Sequence, residues 1–214
     1  MVRFISFDMD GTLIDPEFTE WVWGHGIPTL YAEKYGISFE RAKAFIEGEY
    51  GKVGEGAIEW YDIKYWFRFF QLEMPWQSVM ERYIDKIRVY PDVNQVLDHL
   101  RNKFSLILTS NAGREFIDIE LKATGLDGHF EKIFSATSDF GLVKKTSSFY
   151  QQVCQILRAS PEEIVHVGDH YEFDYIVPRS LGMRAFFLDR RGGRRGDSVL
   201  LDLRDLEARL IAPG

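Results

Sequence analysis

The apolar positions of this chain follow two different periods. Val2 to Phe7 is a short apolar run ending on Asp8, with Gly11 close behind. Such a run, bounded by a turn signal, reads as a buried strand whose carboxyl end opens into a loop. From Pro16 to about Arg88 large aromatics dominate, and Trp66, Phe69 and Phe70 recur at helical rather than alternating spacing. With breaks at Gly24–Gly26, Gly36, Gly48–Gly56 and Pro75, the pattern predicts helices over about 17–35, 39–48, 56–72 and 76–86.

After Pro91 helical and strand patterns alternate at short spacing. Helices are predicted over 93–102, 114–124, 146–158 and 174–181, with a closing helix over 202–211. Between them fall buried strands at 104–108, 132–136, 164–167 and 184–188. This alternation implies βα units and a mostly parallel sheet, to which the first strand also belongs. The predicted fold is therefore α/β, a doubly wound core of residues 1–15 and 89–214, with an inserted helical domain at 16–88. In such sheets ligands bind outside the carboxyl ends of the strands, where the strand order reverses.

Composition narrows the function. Of 214 residues, 45% are hydrophobic and 28% charged, which fits a globular chain and not a disordered one. The net charge of -7 leaves no global positive field for nucleic acid or an anionic membrane. An anionic substrate would need local help from a metal ion, a lysine or backbone N–H groups. Cys154 is the only cysteine, which excludes an intrachain disulfide and a cysteine-held zinc, and its amphipathic setting predicts a buried, inert thiol. No apolar stretch approaches the roughly 20 residues that span a bilayer, and no signal peptide is visible. A cytoplasmic protein, monomer or homodimer, is expected.

Four polar clusters stand at or just past predicted strand ends. They are Asp8-Met9-Asp10-Gly11-Thr12, Thr109-Ser110-Asn111, Gly141-Leu142-Val143-Lys144-Lys145, and Gly168-Asp169 with Glu172 and Asp174. Each alone has a structural explanation. Asp-Gly is a common turn, Ser110 or Asn111 would cap the next helix, and paired lysines are usually solvated. Four at successive strand ends of one sheet need a joint one. Asp8, Asp10 and Asp169 brought together are costly unless a cation holds them. Oxygen-only ligands select a hard ion, and Mg2+ suits a few carboxylates with a substrate phosphate. A hydroxyl and a lysine nearby complete a site suited to phosphoryl transfer.

DMDGT followed by LIDP, the SN pair, GLVK and VGDHYEFD resemble, in order, the four motifs of haloacid dehalogenase-like hydrolases. The resemblance covers the whole chain, and the insert lies where one large branch of that family carries a helical cap. It implies that Asp8 is the nucleophile and forms a phosphoaspartate, and that Asp10 protonates the leaving group and then activates water. Mg2+ would be held by Asp8, the backbone carbonyl of Asp10 and Asp169, with Asp174 an outer or alternative ligand. Ser110 would hydrogen-bond the phosphoryl group, Thr109 being the competing hydroxyl. Lys144 would neutralise it, while Asn111 and Gly11 complete the substrate-binding set.

The chain departs from the family pattern at Lys145, where a proline is usual. Spacing from Gly141 and to Tyr150 favours Lys144, with Lys145 the alternative. Dehalogenases lack the second carboxylate, because a halide leaving group needs no proton, so Asp10 points to phosphate esters. The expected activity is Mg2+-dependent hydrolysis of a small phosphorylated metabolite. A phosphomutase of the β-phosphoglucomutase type shares all four motifs, and a phosphonate hydrolase or a noncatalytic binding protein are further alternatives. The aromatic insert is read as a small domain's own core that also serves as a lid, with Glu17, Trp21, His25, Glu55 and Trp60 as candidate substrate contacts. Arg190–Gly196 is read as a solvated turn.

Overall fold

In the computed structural model, which describes residues 1–211, six strands form one sheet in the order β3-β2-β1-β4-β5-β6. Residues 212–214 of the predicted core lie outside the described residues. The strands are β1 (Phe4–Phe7), β2 (Ser105–Ser110), β3 (Lys132–Ser135), β4 (Ile164–Gly168), β5 (Arg184–Leu188) and β6 (Val199–Leu200), and every pairing is parallel. Every residue of β1 and β4 is buried, as expected for central strands covered on both faces. Phe7 lies opposite Leu108 on one side and Val167 on the other, so β2 runs two residues and β4 one residue past the end of β1. The chain winds from β1 outward through β2 and β3, then returns to place β4 on the other side of β1. The order therefore reverses between β1 and β4, and the crevice that reversal leaves is where ligands of such sheets bind.

The chain divides into two compact units, Met1–Asp15 with Val89–Gly214, and Pro16–Arg88. The second unit is helical: α1 (Glu17–Trp21), α2 (Ile27–Tyr35), α3 (Phe39–Val53), α4 (Ile63–Phe69) and α5 (Trp76–Arg82). Trp66 is fully buried there, with Phe70 stacked on it at 5.4 Å and Tyr50 edge-on at 4.6 Å. These rings form this unit's own core. Several boundaries differ from the sequence expectation, and the fourth predicted helix, 76–86, ends at Arg82. The first predicted helix is interrupted by a widened π turn, Val22–Gly26, where a Cβ on Gly26 would meet the Val79 side chain at 2.3 Å. Helix α3 runs through Gly48 and Gly51, whose missing side chains face open space, so each costs only the roughly 1 kcal/mol of glycine's helix propensity. The third predicted helix starts later, because the Asp62 carboxylate accepts from Lys64 N at 2.8 Å and caps α4.

In the first unit the helices are α6 (Val93–Leu100), α7 (Arg114–Thr124), α8 (Ala136–Phe140), α9 (Ser147–Leu157), α10 (Val177–Ser180) and α11 (Asp205–Ile211). Val93, Val96, Leu97 and Leu100 bury one face of α6, and α7 stops at Gly125 in the left-handed conformation. Cys154 is buried on α9, as expected. Helix α8 and strand β6 are unforeseen. Among the described residues no helix is long and apolar enough to cross a membrane.

The expectation of a solvated turn at Arg190–Gly196 needs correction at its first residue. Arg190 Nη1 reaches both oxygens of buried Asp92 at 3.1 Å, its guanidinium lies 3.9 Å over the Tyr90 ring, and Nη2 donates to the Thr12 carbonyl at 2.7 Å. Asp92 also accepts from Leu203 N at 2.7 Å, so this arginine ties the loop after β1 to the C-terminal segment.

Candidate active site

Asp8 is the first residue past β1, and its N–H still donates to Val167 O at 2.9 Å, which holds it between β1 and β4. The chain then turns sharply, with Gly11 N donating to Ile14 O at 2.8 Å and Gly11 at φ +76°. A Cβ on Gly11 would stand 2.2 Å from Asp169 Oδ2. Glycine is needed twice over here, for the left-handed backbone and for the approach to Asp169. Thr12, fully buried, donates to Asp8 Oδ2 at 3.3 Å. One oxygen each from Asp8, Asp169 and Asp174 lie within 4.8 Å of one another. Asp8 and Asp174 are buried, whereas Asp169 is exposed.

The lysine at these carboxylates is Lys145. Its Nζ contacts Asp8 Oδ1, lies 2.5 Å from Asp174 Oδ1 and donates to the Thr109 carbonyl at 3.2 Å. Lys144, favoured by spacing, instead sets its ammonium 5.1 Å above the Phe173 ring. The physical reason is backbone direction. Asn111 Oδ1 accepts from Lys145 N at 2.8 Å, and this turns the Lys145 side chain inward and Lys144 away. The Asn111 side-chain oxygen, expected to bind substrate, is thus occupied by the Lys145 backbone.

The two candidate hydroxyls separate cleanly. Thr109 Oγ1 lies 3.0 Å from Ser6 Oγ, occupied inside the fold. Ser110, the last residue of β2, accepts from Ala112 N at 3.0 Å, which leaves its own proton free to be donated. Asp174 is no bystander either. Oδ1 meets Lys145 and His166 Nε2, the latter at 3.0 Å, and Oδ2 accepts from His170 N at 3.0 Å. Trp21 and His25 stack at 4.3 Å within the helical unit, where Glu17 pairs with Lys86 at 3.4 Å.

Electrostatics differentiate the carboxyls. Burial works against the charge of Asp174, but Lys145 and His166 beside it hold its carboxyl well below the usual range. Burial raises Asp8, with Lys145 opposing the rise. Burial and then the Asp8 charge push Asp10 up to about 7. Desolvation, then Asp8 and Asp174, push Asp169 up to about 8, although it keeps an exposed face. Lys145 loses some preference for charge to burial but gains more from Asp174 and Asp8, so its pKa rises above the ordinary value. Asp10 Oδ1 and both oxygens of fully buried Glu120 on α7 have no hydrogen-bond partner, and burial raises Glu120 well above the ordinary range. Sequence reasoning passed over Glu120, His166 and Ser6, and gave Thr12 no role of its own. A carboxylate or imidazole at an otherwise apolar position of a helix or strand was the available signal for the first two.

The donor set fits a hard divalent cation. Carboxylate oxygens crowd together, and protons are held on Asp10 and Asp169 more tightly than on free carboxyls, the response expected where positive charge is wanted. Asp8, Asp169 and Asp174 each bring one oxygen to this spot, and Asp174 is in addition paired with Lys145 and His166.

The haloacid dehalogenase-like hydrolase family model matches residues 2–182. The GMP/IMP nucleotidase YrfG of Escherichia coli (strain K12) is 25% identical over 169 residues, which cover 78% of this chain and 74% of that one. Pyrophosphatase PpaX of Bacillus cereus (strain Q1) is 24% identical over 177 residues, or 79% and 76% of the two chains. Among solved structures, a HAD phosphatase from Thermococcus onnurineus superposes with a TM-score of 0.84 at 26% identity, covering 98% of both chains. Carboxylates at the reversal point of a parallel sheet, a buried lysine between them and a family match spanning most of the sequence lead to one conclusion: this chain belongs to the haloacid dehalogenase-like hydrolases.

Proposed function

We propose that this phosphoric monoester hydrolase is magnesium-dependent, acts on a small phosphorylated metabolite and works through a phosphoaspartate on Asp8. One observation carries the reading: Lys145 is buried against Asp8, while Asp10, two residues on, holds its proton up to about pH 7. Burial raises Asp8, and the Lys145 ammonium against it opposes that rise and favours the ionised form a nucleophile requires. An Asp8 carboxylate oxygen attacks phosphorus, the bond from phosphorus to the ester oxygen breaks, and Asp10 gives its proton to that oxygen. Asp10, now ionised, takes a proton from water as the water oxygen attacks phosphorus. Inorganic phosphate leaves and the Asp8 carboxylate is restored. Ser110 donates to a phosphoryl oxygen and Lys145 neutralises another. Mg2+, held by Asp8, Asp169 and the Asp10 carbonyl, would neutralise the phosphoryl charge.

Phosphate release from p-nitrophenyl phosphate, and from GMP and IMP as suggested by the nucleotidase relative, tests this reading with and without Mg2+. Turnover should require Mg2+ and fall by at least about a thousandfold in Asp8→Asn, the scale of loss when a covalent nucleophile is removed. Retention of turnover by Asp8→Asn would overturn the nucleophile assignment.

A further inference from the structure

A line of side chains runs under the catalytic strand ends without touching the reacting positions. Ser6 stands two residues before Asp8, Thr109 one before Ser110, and His166 three before Asp169. All three are buried. His166 Nε2 lies 3.0 Å from Asp174 Oδ1, its Nδ1 2.9 Å from Ser6 Oγ, and Ser6 Oγ 3.0 Å from Thr109 Oγ1.

The direction of each bond follows from its end. The ionised Asp174 only accepts, so Nε2 carries the imidazole hydrogen and points it at Asp174. Nδ1 then accepts from the Ser6 hydroxyl, and Ser6 accepts from Thr109. Tyr150 gives its proton to Phe173 O at 2.9 Å, so its oxygen, 3.1 Å from Nε2, stands as a second acceptor for the one Nε2 hydrogen. Asp174 is gripped on its other sides too. Its Oδ2 takes the His170 N–H, and a Cβ on Gly168 would collide with its Cγ at 2.4 Å. Asp174 Oδ1, in turn, is the atom against Lys145.

We propose that His166 is a positioning residue: its Nε2–H pins Asp174 Oδ1 so that Asp174 holds Lys145 against Asp8 instead of swinging toward the cation-binding carboxylates. Asp174 selects the tautomer, and Ser6, backed by Thr109, satisfies it by donating to Nδ1. The role differs from that of an inert core histidine, since only the donor at the Nε2 position matters. It rests on Asp8 being the nucleophile.

Two amide variants separate these cases. Gln at 166 carries an N–H at the place of Nε2 and reaches Asp174. Asn places its amide at Nδ1 and serves Ser6 alone. Steady-state phosphate release should show His166→Gln within about threefold of the native kcat and His166→Asn lower by about 10- to 100-fold at little-changed KM, the usual range for a partner one layer behind a functional group. Ser6→Ala should lower kcat in the same direction while leaving KM alone. Thermal midpoints measured alongside should fall alike for both amides, so that kcat and not stability sorts them. Native kcat in His166→Asn, or equal loss in both amides, would overturn the proposal. Asp8→Asn assayed in parallel keeps the two readings apart. Activity surviving there defeats the nucleophile assignment, whereas an inactive Asp8→Asn beside a fully active His166→Asn defeats the positioning role alone.

Discussion

A lysine ammonium has three hydrogens to donate, and Lys145 spends them on Asp8, Asp174 and the Thr109 carbonyl. Its removal would leave two buried carboxylates facing each other and a phosphoryl group without its neutralising charge. Lys145→Met should therefore lower kcat by about 100- to 1000-fold, the loss typical of a preorganised charge-stabilising donor, and Lys144→Met by no more than about threefold. Phosphate release by the two variants checks this, and a larger loss in Lys144→Met would reverse the assignment. The pair also marks where the sequence stopped being readable. Asp8, Asp10, Ser110 and Asp169 were legible because each follows a run of apolar residues that must be a buried strand. Two adjacent lysines in a loop offer no such signal. Successive side chains of an extended segment point opposite ways, and which one points inward is settled by Asn111, 34 positions earlier in the chain. The same limit hid His166, whose partners Ser6, Tyr150 and Asp174 come from three separate elements.

At the scale of elements, the strands and the longer helices were readable because burial imposes a period on the sequence. The failures have local causes. Strand β6 spans only Val199–Leu200 and α8 only Ala136–Phe140, too short for a period to show. Helix α3 passes through glycines that sequence reasoning treats as stops. Arg190 was misread because its partner, Asp92, lies 98 positions away. That contact supports a prediction. Asp92 is almost wholly buried, and without Arg190 its remaining partner is one backbone N–H. Arg190→Ala should cost about 2–4 kcal/mol in urea unfolding, less than the full penalty for a deeply buried pair because the arginine is partly exposed. Asp92→Asn combined with Arg190→Ala should cost less than the sum of the single changes, since the pair is removed together. Strict additivity would show that the two do not interact.

For the molecule as a whole, the crowded carboxyls link folding, protons and metal. An unfolded chain releases the protons of Asp10 and Asp169 near the ordinary value of 3.8, whereas the folded, metal-free protein holds them to about 7 and about 8. Between those limits the native state binds more protons than the unfolded one, so stability falls as pH rises. The sign is opposite for Asp174, whose carboxyl is lowered: its contribution is present above 3.8 and is lost only on acidification below that value. It therefore adds no slope near neutrality. A divalent cation competes with the same protons and relieves the same repulsion, so it should stabilise most where those protons have left. In EDTA the thermal midpoint should decline from about pH 5.5 to about pH 8, and the gain on adding Mg2+ should grow across that interval. Asp10→Asn keeps a neutral side chain at every pH and should flatten part of the metal-free decline. The -7 net charge of the chain also disfavours the compact state as pH rises, but that effect is common to native and variant proteins and cancels in their difference. A metal-free midpoint that stays level over the interval, or a Mg2+ gain independent of pH, would mean that the strand-end carboxyls neither hold their protons nor share a cation.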